Sequence, residues 1–311
     1  MDPLSNVLSL LKPQSLVSRG FGLTGDLAIQ WPKHKGIKCY ALLRGRCWLQ
    51  VEGVPDPIPV TEGDCFLLPR GRPFCLTTDL SLKPMDFTVL RESGALESLC
   101  TESLDGKVYM AGGHFVLAGE HAEILLNALP PVVHIRTEED KAAMRWSLER
   151  MEEELRANRP GVELITQQLA YVMLVQALRL HLADGASAGV GWLFALADKQ
   201  MSAALSCMHE EPGAPWTLQS LAERVGMSRS VFAERFKQSV GASPLEYLTK
   251  WRMLVGGDRL RSTDASIAEI ACSLGYRSES AFGKAFKKEM GCSPRQYGRM
   301  TVKSPLAMAA D

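Results

Sequence analysis

The chain has 311 residues, with 35 Lys+Arg balanced by 35 Asp+Glu and 46% hydrophobic residues, which fits two globular domains and a linker with ample core. It holds no run of about eighteen apolar residues, so no membrane-spanning helix is read. The N-terminus lacks a basic region followed by an apolar run and a small-residue cleavage site, and eight cysteines occur without a C-x-x-C, so a secreted disulfide framework and a zinc ribbon are both set aside and a cytoplasmic protein is expected.

Asp2 to Lys12 alternates as a short amphipathic helix. From Leu27 to Leu117 the pattern becomes short strands: Ile37–Leu43, Arg46–Val51, Cys65–Leu68, Phe74–Thr77, Asp86–Leu90, Val108–Ala111 and His114–Leu117. Arg44-Gly45, Glu52-Gly53, Gly63-Asp64, Pro69-Arg70-Gly71 and Gly112-Gly113 supply the turns. Many short strands at close spacing predict a small barrel or a double-sheet jelly roll.

The run from Gly63 through Pro69 and Gly71 to Phe74 is similar to the second motif of the cupin family, G-x5-P-x-G-x2-H-x3-N. Phe74 stands where the family has a metal-binding His, and Thr78 where it has Asn. The upstream hairpin offers Lys38, Cys39 and Tyr40 in place of H-x-H. A metal site needs three or four convergent ligands, so no metal and no cofactor are expected, and a cupin enzyme is the disfavoured reading. His114, His121 and His134 lack a convergent spacing and are expected to be structural. What the resemblance implies is a barrel that holds a small-molecule effector, with Tyr40, Leu42, Cys47, Trp48, Leu49 and Phe66 as lining candidates; alternation alone leaves the interior face open.

Cys39, Cys47, Cys65 and Cys75 all fall on these strands, which raises a thiol sensor as the alternative. Hairpin turns at 44–45 and 69–72 would pair Leu42 with Cys47 and Phe66 with Cys75, leaving Cys39 and Cys65 on the opposite faces. Buried cysteines more often serve as small inert hydrophobes.

Leu129-Pro130-Pro131 closes the domain, and Thr137 then caps a helix with Glu138, Glu139 and Asp140 in its first turn. Met144, Leu148, Met151 and Leu155 form its apolar stripe, and the run from Asn158 to Gly161 ends it. The next helix, Val162 to Leu182, is apolar around much of its circumference and must be buried on more than one side. Residues 184–191 read as a flexible linker, and Leu193 to His209 as the helix beyond it.

Near the end the sequence says nearly the same thing twice. Phe232, Phe236, Gly241, Ser243, Pro244 and Tyr247 recur fifty residues later as Phe282, Phe286, Gly291, Ser293, Pro294 and Tyr297. Each copy reads as helix, glycine turn, helix. Thr217-Leu218 opens the first, Leu218, Leu221, Ala222 and Val225 give its face, and Gly226 ends it. Ser228 caps a second helix with Val231, Phe232, the Arg235 stem and Phe236 as its buried stripe. In the second copy Ala268, Ile270, Ala271 and Leu274 lead to Gly275, and Ser278 caps the helix of Phe282 and Phe286. From Trp216 to Arg299 there are 14 Lys+Arg and 8 Asp+Glu, whereas residues 1–215 hold 20 and 26, as expected if only this end meets phosphates.

These repeats, with G-x-S-P-x-x-Y at Gly291, Ser293, Pro294 and Tyr297, resemble the DNA-binding domain of the AraC/XylS family of bacterial transcription regulators, over roughly the last hundred residues. The resemblance implies two recognition helices in successive major grooves, about 34 Å apart. It places Ser230, Ala233 and Glu234 of the first, and Glu279, Ser280 and Lys284 of the second, at base edges. Ser228 and Ser278 cap these helices at the DNA, and Arg229, Arg235, Lys287 and Lys288 suit phosphates. Ala233 offers only a methyl contact to thymine, and Glu234 or Glu279 an acceptor for cytosine; Glu234 is alternatively a salt-bridge partner of Arg235 or Lys237.

The expectation is therefore an α+β multidomain chain: a cupin-like β-barrel (1–135), a helical dimerisation segment (136–183), a linker (184–191), an all-α double helix-turn-helix (192–300) and a tail (301–311). By resemblance it is a homodimeric regulator, an activator rather than a repressor, with double-stranded DNA, a small organic effector and RNA polymerase as partners. It is not read as an enzyme. A sensorless nucleoid-type DNA protein is the remaining alternative.

Overall fold

In the computed structural model the described residues are 2–11, 14–101, 106–116, 129–183 and 191–299. They fall into two compact units, one holding 14–116 and 129–183, the other 2–11 and 191–299. The linker stretch 184–190, the tail 300–311 and His121 lie outside the described residues.

The first unit follows the chain as β1 (Gln14–Leu23), β2 (Ala28–Trp31), β3 (Ile37–Arg44), β4 (Arg46–Val51), β5 (Ile58–Thr61), β6 (Cys65–Leu68), β7 (Phe74–Thr77), β8 (Met85–Asp86), α2 (Phe87–Glu92), α3 (Leu96–Leu99), β9 (Cys100–Thr101), β10 (Val108–Val116) and β11 (Val133–Ile135). The strands make two sheets, one ordered β11-β6-β3-β10-β1-β9 and the other β5-β4-β7-β2-β8. Their inward faces bury Leu42, Leu49, Phe66, Leu76 and Met110 to 0% exposure in one apolar core. Each side chain of that size, fully buried, contributes roughly 1.5–3 kcal/mol.

The chain changes sheet at Arg44-Gly45 and again between β6 and β7, so neither turn closes a hairpin. β3 pairs with β10 and β6, and β4 with β5 and β7. The expected pairings of Leu42 with Cys47 and Phe66 with Cys75 do not form. Instead Cys39 faces Leu67 and Ala41 faces Cys65, which puts Cys39 and Cys65 on one face of the same sheet.

Two further expectations are corrected. Asp86–Leu90 is not a strand: the Asp86 carboxylate accepts from the amides of Thr88 (2.8 Å) and Val89 (3.2 Å), and this cap starts α2 despite the β-branched residues. Val108–Ala111 and His114–Leu117 are not separate strands either, because β10 runs straight through Gly112-Gly113. A Cβ at Gly112 would lie 2.0 Å from the Cys39 carbonyl oxygen, so this glycine permits close strand approach and makes no turn. Strands β1, β2, β5, β9 and β11 have no counterpart in the sequence pattern.

Helices α4 (Glu138–Ala157) and α5 (Val162–Ala183) complete this unit. The Thr137 hydroxyl caps α4, and Asn158, at φ +42°, ends it. Leu169, Ala170, Met173, Leu174 and Ala177 of α5 are buried, and the helix packs on β1, β3, β6, β10 and β11. The barrel thus covers one side of the apolar helix. Leu164 and Val172 remain 69% and 36% exposed on another.

The second unit is helical. It contains α1 (Pro3–Leu11), α6 (Trp192–Ala195), α7 (Lys199–Glu210), α8 (Leu218–Arg224), α9 (Arg229–Val240), α10 (Pro244–Ser262), α11 (Ile267–Ser273), α12 (Glu279–Met290) and α13 (Pro294–Arg299). The single helix expected from Leu193 to His209 is two, since Asp198 caps α7 by accepting from the amides of Gln200 and Met201. Among the described residues no helix is long and apolar enough to cross a membrane.

Candidate nucleic-acid interface

The duplication in sequence is a duplication in space. Thr217 and Ser266 open α8 and α11 with capping boxes, Ser228 and Ser278 cap α9 and α12, and Gly241 and Gly291 end those helices at φ +82° and +74°. Ser243 and Ser293 then cap α10 and α13, their amides donating to Glu246 and Gln296 at 3.0 Å each. Phe232, Phe236, Phe282 and Phe286 are each 0% exposed, and Phe236 and Phe286 pack edge-on against Tyr247 (5.9 Å) and Tyr297 (5.3 Å). The repeated residues are therefore core and caps, holding each second helix at a fixed angle to its first.

With the phenylalanines turned inward, the opposite faces of α9 and α12 are free. Arg229, Ser230, Glu234 and Arg235 are exposed on α9, and Glu279, Ser280, Lys284, Lys287 and Lys288 on α12. Ala233 is half-buried. Ser228 and Ser278 stand at the two N-termini, their hydroxyls occupied in part by the amides of Val231 (3.4 Å) and Ala281 (3.1 Å). Among the described residues no carboxylate pairs with Arg229, Lys284, Lys287 or Lys288.

Four side chains have surroundings that the sequence pattern did not give. Val231 is 53% exposed, because Phe232 and Phe236 alone turn α9 toward the core; Ala268 is likewise exposed on α11. The Arg235 guanidinium is engaged within the unit, ion-paired with Asp198 and donating to Gln200 Oε1 at 3.0 Å, so it braces α9 against α7. Glu234 pairs with neither Arg235 nor Lys237; it accepts from Gln238 Nε2 at 3.3 Å, one turn on. Sequence reasoning passed over Val231 as an exposed residue at the start of α9, although its place beside Ser230 and Glu234 carried that signal.

The long helix α10 sits between the repeats. Gly256 and Gly257 let the second repeat close upon it: a Cβ at Gly256 would lie 3.0 Å from the Phe282 ring, and one at Gly257 2.9 Å from that of Tyr297. On the first repeat's side, His209 stacks on Trp251 at 3.8 Å and its Nε2 lies 2.7 Å from the Tyr247 hydroxyl. Burial lowers the His209 imidazole to about 3.

In the barrel, Leu42, Cys47, Leu49 and Phe66 belong to the inward core and Tyr40 packs against it. Trp48 does not: it alternates with Cys47 and Leu49 and stands on the outer face of β4. The Sγ atoms of Cys39 and Cys65 lie 3.9 Å apart, both fully buried. A hydrogen bond with Cys39, together with burial, holds the Cys65 thiol well above its ordinary range, and burial pushes Cys47 up to about 12. Among the described residues no group of three or more His, Cys, Asp or Glu is placed to hold a metal ion. His134 Nε2 lies 3.2 Å from Asp64 Oδ2, and His114 Nε2 meets the Lys35 carbonyl.

Comparison with known proteins agrees with both units. A cupin family model matches residues 2–183 and a helix-turn-helix domain model residues 221–300. An AraC-like transcription regulator of Streptomyces lividans is 40% identical over 298 residues, covering 96% of this chain and 98% of its own. The transcriptional regulator AlkR of Acinetobacter baylyi is 31% identical over 245 residues, 76% of this chain and 79% of its own. Among solved structures, the C-terminal domain of the response regulator AraT from Geobacillus stearothermophilus is 35% identical, covers 35% of this chain and 91% of that one, and superposes with a TM-score of 0.33.

Proposed function

We propose, from the premise that this chain belongs to the AraC family of DNA-binding transcription regulators, that it is a one-component activator: α9 and α12 read an operator in double-stranded DNA, and the barrel senses a small organic effector. The observation that carries the DNA-reading assignment is the pair of capped helices whose exposed faces hold Arg229, Ser230, Glu234, Ser280, Lys284, Lys287 and Lys288. Cations without carboxylate partners at that face are available to phosphates, and hydroxyl, carboxylate and amine groups near the helix N-termini are available to base edges. Such a protein works in the cytoplasm and acts through RNA polymerase.

The homodimer is part of the same reading. Leu164, Ile165 and Val172 on α5 are 69%, 38% and 36% exposed, and Trp146 on α4 is 64% exposed. Apolar surface of this kind on two packed helices fits a second copy, with the two-fold symmetry that regulators of paired sites use.

Cys39 and Cys65 support a second reading, a thiol sensor. At 3.9 Å their sulfurs need only a small approach to bond, with a peroxide taking both hydrogens and leaving as two waters. Against it, both thiols are buried, and Cys65 is held far from the thiolate form that attacks oxidants. The organic effector is the first choice.

One footprint separates these readings. The purified, reduced protein is tested on the promoter regions flanking its own gene, alone, with the low-molecular-weight fraction of a cell extract, and after mild peroxide treatment. Protection over two neighbouring major grooves per protomer is the expected result, and a change with the extract fraction identifies an organic effector. A change with peroxide alone favours the thiols. Binding that follows salt and ignores sequence defeats the regulator reading.

A further inference from the structure

The two repeats share their core and cap residues, yet their glycine turns have different neighbours. Gly226 turns the first repeat at φ +68°, and a Cβ there would meet nothing within 4 Å. Gly275 turns the second at φ +80°, and a Cβ there would lie 2.5 Å from the Gly213 carbonyl oxygen. Gly213 sits in the stretch 211–217 that leads from α7 into α8. A Cβ on Gly213 would in turn lie 2.4 Å from the Ser273 carbonyl oxygen at the end of α11. Main chain from the entrance to the first repeat therefore lies directly on main chain at the turn of the second. Two glycines across such a seam permit an approach that a side chain on either would prevent.

One side chain holds both margins of the seam. Arg252, half-buried on α10 between the repeats, donates from Nε to the Pro212 carbonyl at 2.5 Å and from Nη2 to the Ala214 carbonyl at 2.8 Å. Its guanidinium carbon lies 5.9 Å from the centroid of the ring of Tyr276, the residue after Gly275. A planar fork suits two carbonyls at once, which a compact ammonium does not. Two turns along the same face of α10, Arg259 Nη1 donates to Ser273 Oγ at 2.5 Å. That face of α10 thus ties the end of α11 to the stretch that precedes α8.

We propose that Arg252 and the Gly213–Gly275 seam are positioning elements for DNA recognition: they join the two repeats into one rigid body, so that α9 and α12 accept two major-groove half-sites at one spacing only. The inference rests on the reading of α9 and α12 as recognition helices and adds which residues fix their separation. One base pair inserted between half-sites displaces one of them by about 3.4 Å along the axis and about 35° around it. Hydrogen bonds to base edges do not survive such a displacement, so a rigid pair gives up one half-site or distorts the duplex. With the seam open, the second repeat is held to the first through its packing on α10 alone and can follow the displaced half-site.

The test uses the full chain. Its preferred site is selected from a random duplex library, and binding is then measured on that site and on versions with one base pair added or removed between the half-sites. The wild type loses at least about tenfold on either change. Arg252→Ala binds the original spacing about three- to tenfold more weakly, and its further loss on the altered spacings shrinks to about threefold or less. Arg252→Lys, with the charge and without the fork, falls between. Gly213→Ala presses on the Ser273 carbonyl with Arg252 still in place; it gives the same narrowing and carries the test if Arg252→Ala does not fold. Gly226→Ala strains the backbone away from the seam, so it lowers the melting midpoint and keeps the wild-type ratio between spacings. A residue that only supports the fold would lower binding on every spacing by one factor. That outcome in Arg252→Ala, or in Gly213→Ala where it stands in, overturns the proposal, and so does narrowing by Gly226→Ala. Wild-type protein that binds all three spacings alike overturns it too and leaves α9 and α12 as recognition helices. A selection that yields no paired sequence overturns that reading and the inference with it.

Discussion

The Lys141 ammonium lies 2.8 Å from the Asp64 carboxylate, an ion pair that joins α4 to the turn between β5 and β6. Asp64 is 3% exposed and also accepts from the Thr61 amide at 2.8 Å and from His134 Nε2 at 3.2 Å. Three elements of the first unit therefore meet at one carboxylate. Cys65 and Phe66 follow it directly on β6, and Phe66 belongs to the barrel's inward core.

The first prediction concerns that carboxylate. Burial works to raise Asp64, but hydrogen bonds from His134, Lys141 and the Thr61 amide outweigh it and hold the group at about 2. A carboxyl depressed in the folded state stabilises above its unfolded value and loses that contribution as pH falls toward the folded one. Stability of this unit is expected to drop by roughly 2–3 kcal/mol between pH 5 and pH 2, and Asp64→Asn to flatten much of that slope while lowering the midpoint at pH 7. Denaturant melts of both proteins across the range check it. Parallel slopes would remove Asp64 from the account.

The helical half was far more legible than the barrel. Phe232, Phe236, Tyr247 and their copies at 282, 286 and 297 are core residues, and the glycines and serines between them are caps, so local spacing alone fixed their roles. Strand residues gave less. Alternation is identical whether a turn closes a hairpin or passes the chain to the other sheet, so nothing local said that Arg44-Gly45 is a corner or that Cys39 would lie beside Cys65. The same gap hid the cluster of His34, Lys38, Phe74 and His114, which come together only through long-range pairing. The Arg235 ion pair was hidden for a related reason: its partner Asp198 is on another helix.

A second prediction separates reading from holding on α12. Lys284 lies one turn beyond Ser280 on the exposed face, whereas Lys287 and Lys288 lie in the last turn. Lys284→Ala is expected to cost about 1–3 kcal/mol on the preferred operator and little on other sequences. Lys287→Ala is expected to weaken all sequences alike and to reduce the slope of log affinity against log salt by about 1. Equal losses from both variants on every sequence would sink the assignment.

Arg235 gives a third. Because its guanidinium is spent on Asp198 and Gln200, Arg235→Ala should destabilise the helical unit while leaving the salt slope of DNA binding near the wild-type value. The bridge is partly exposed, at 45% for Arg235 and 25% for Asp198, so the loss is small, on the order of 0.5–1 kcal/mol. A slope reduced by about one ion with an unchanged melting curve would return Arg235 to the phosphates.

His209 sets the last expectation. It is 6% exposed, wedged against Trp251 and Tyr247 where α7 meets α10, and burial lowers its imidazole to about 3. The unfolded chain takes up that proton near pH 6.5 and the folded one does not, so below this value unfolding gains a proton and stability falls with pH. The fall is about 1.4 kcal/mol per pH unit from this group, or roughly 2 kcal/mol between pH 6.5 and pH 5. His209→Gln keeps a polar group beside the Tyr247 hydroxyl but cannot charge, so it should be less stable than wild type at pH 7 and lose less on acidification. Thermal unfolding of the full chain with an α-helical readout at pH 7, 6 and 5 decides the point, and two curves that fall in parallel would show that the imidazole takes its proton without leaving the fold.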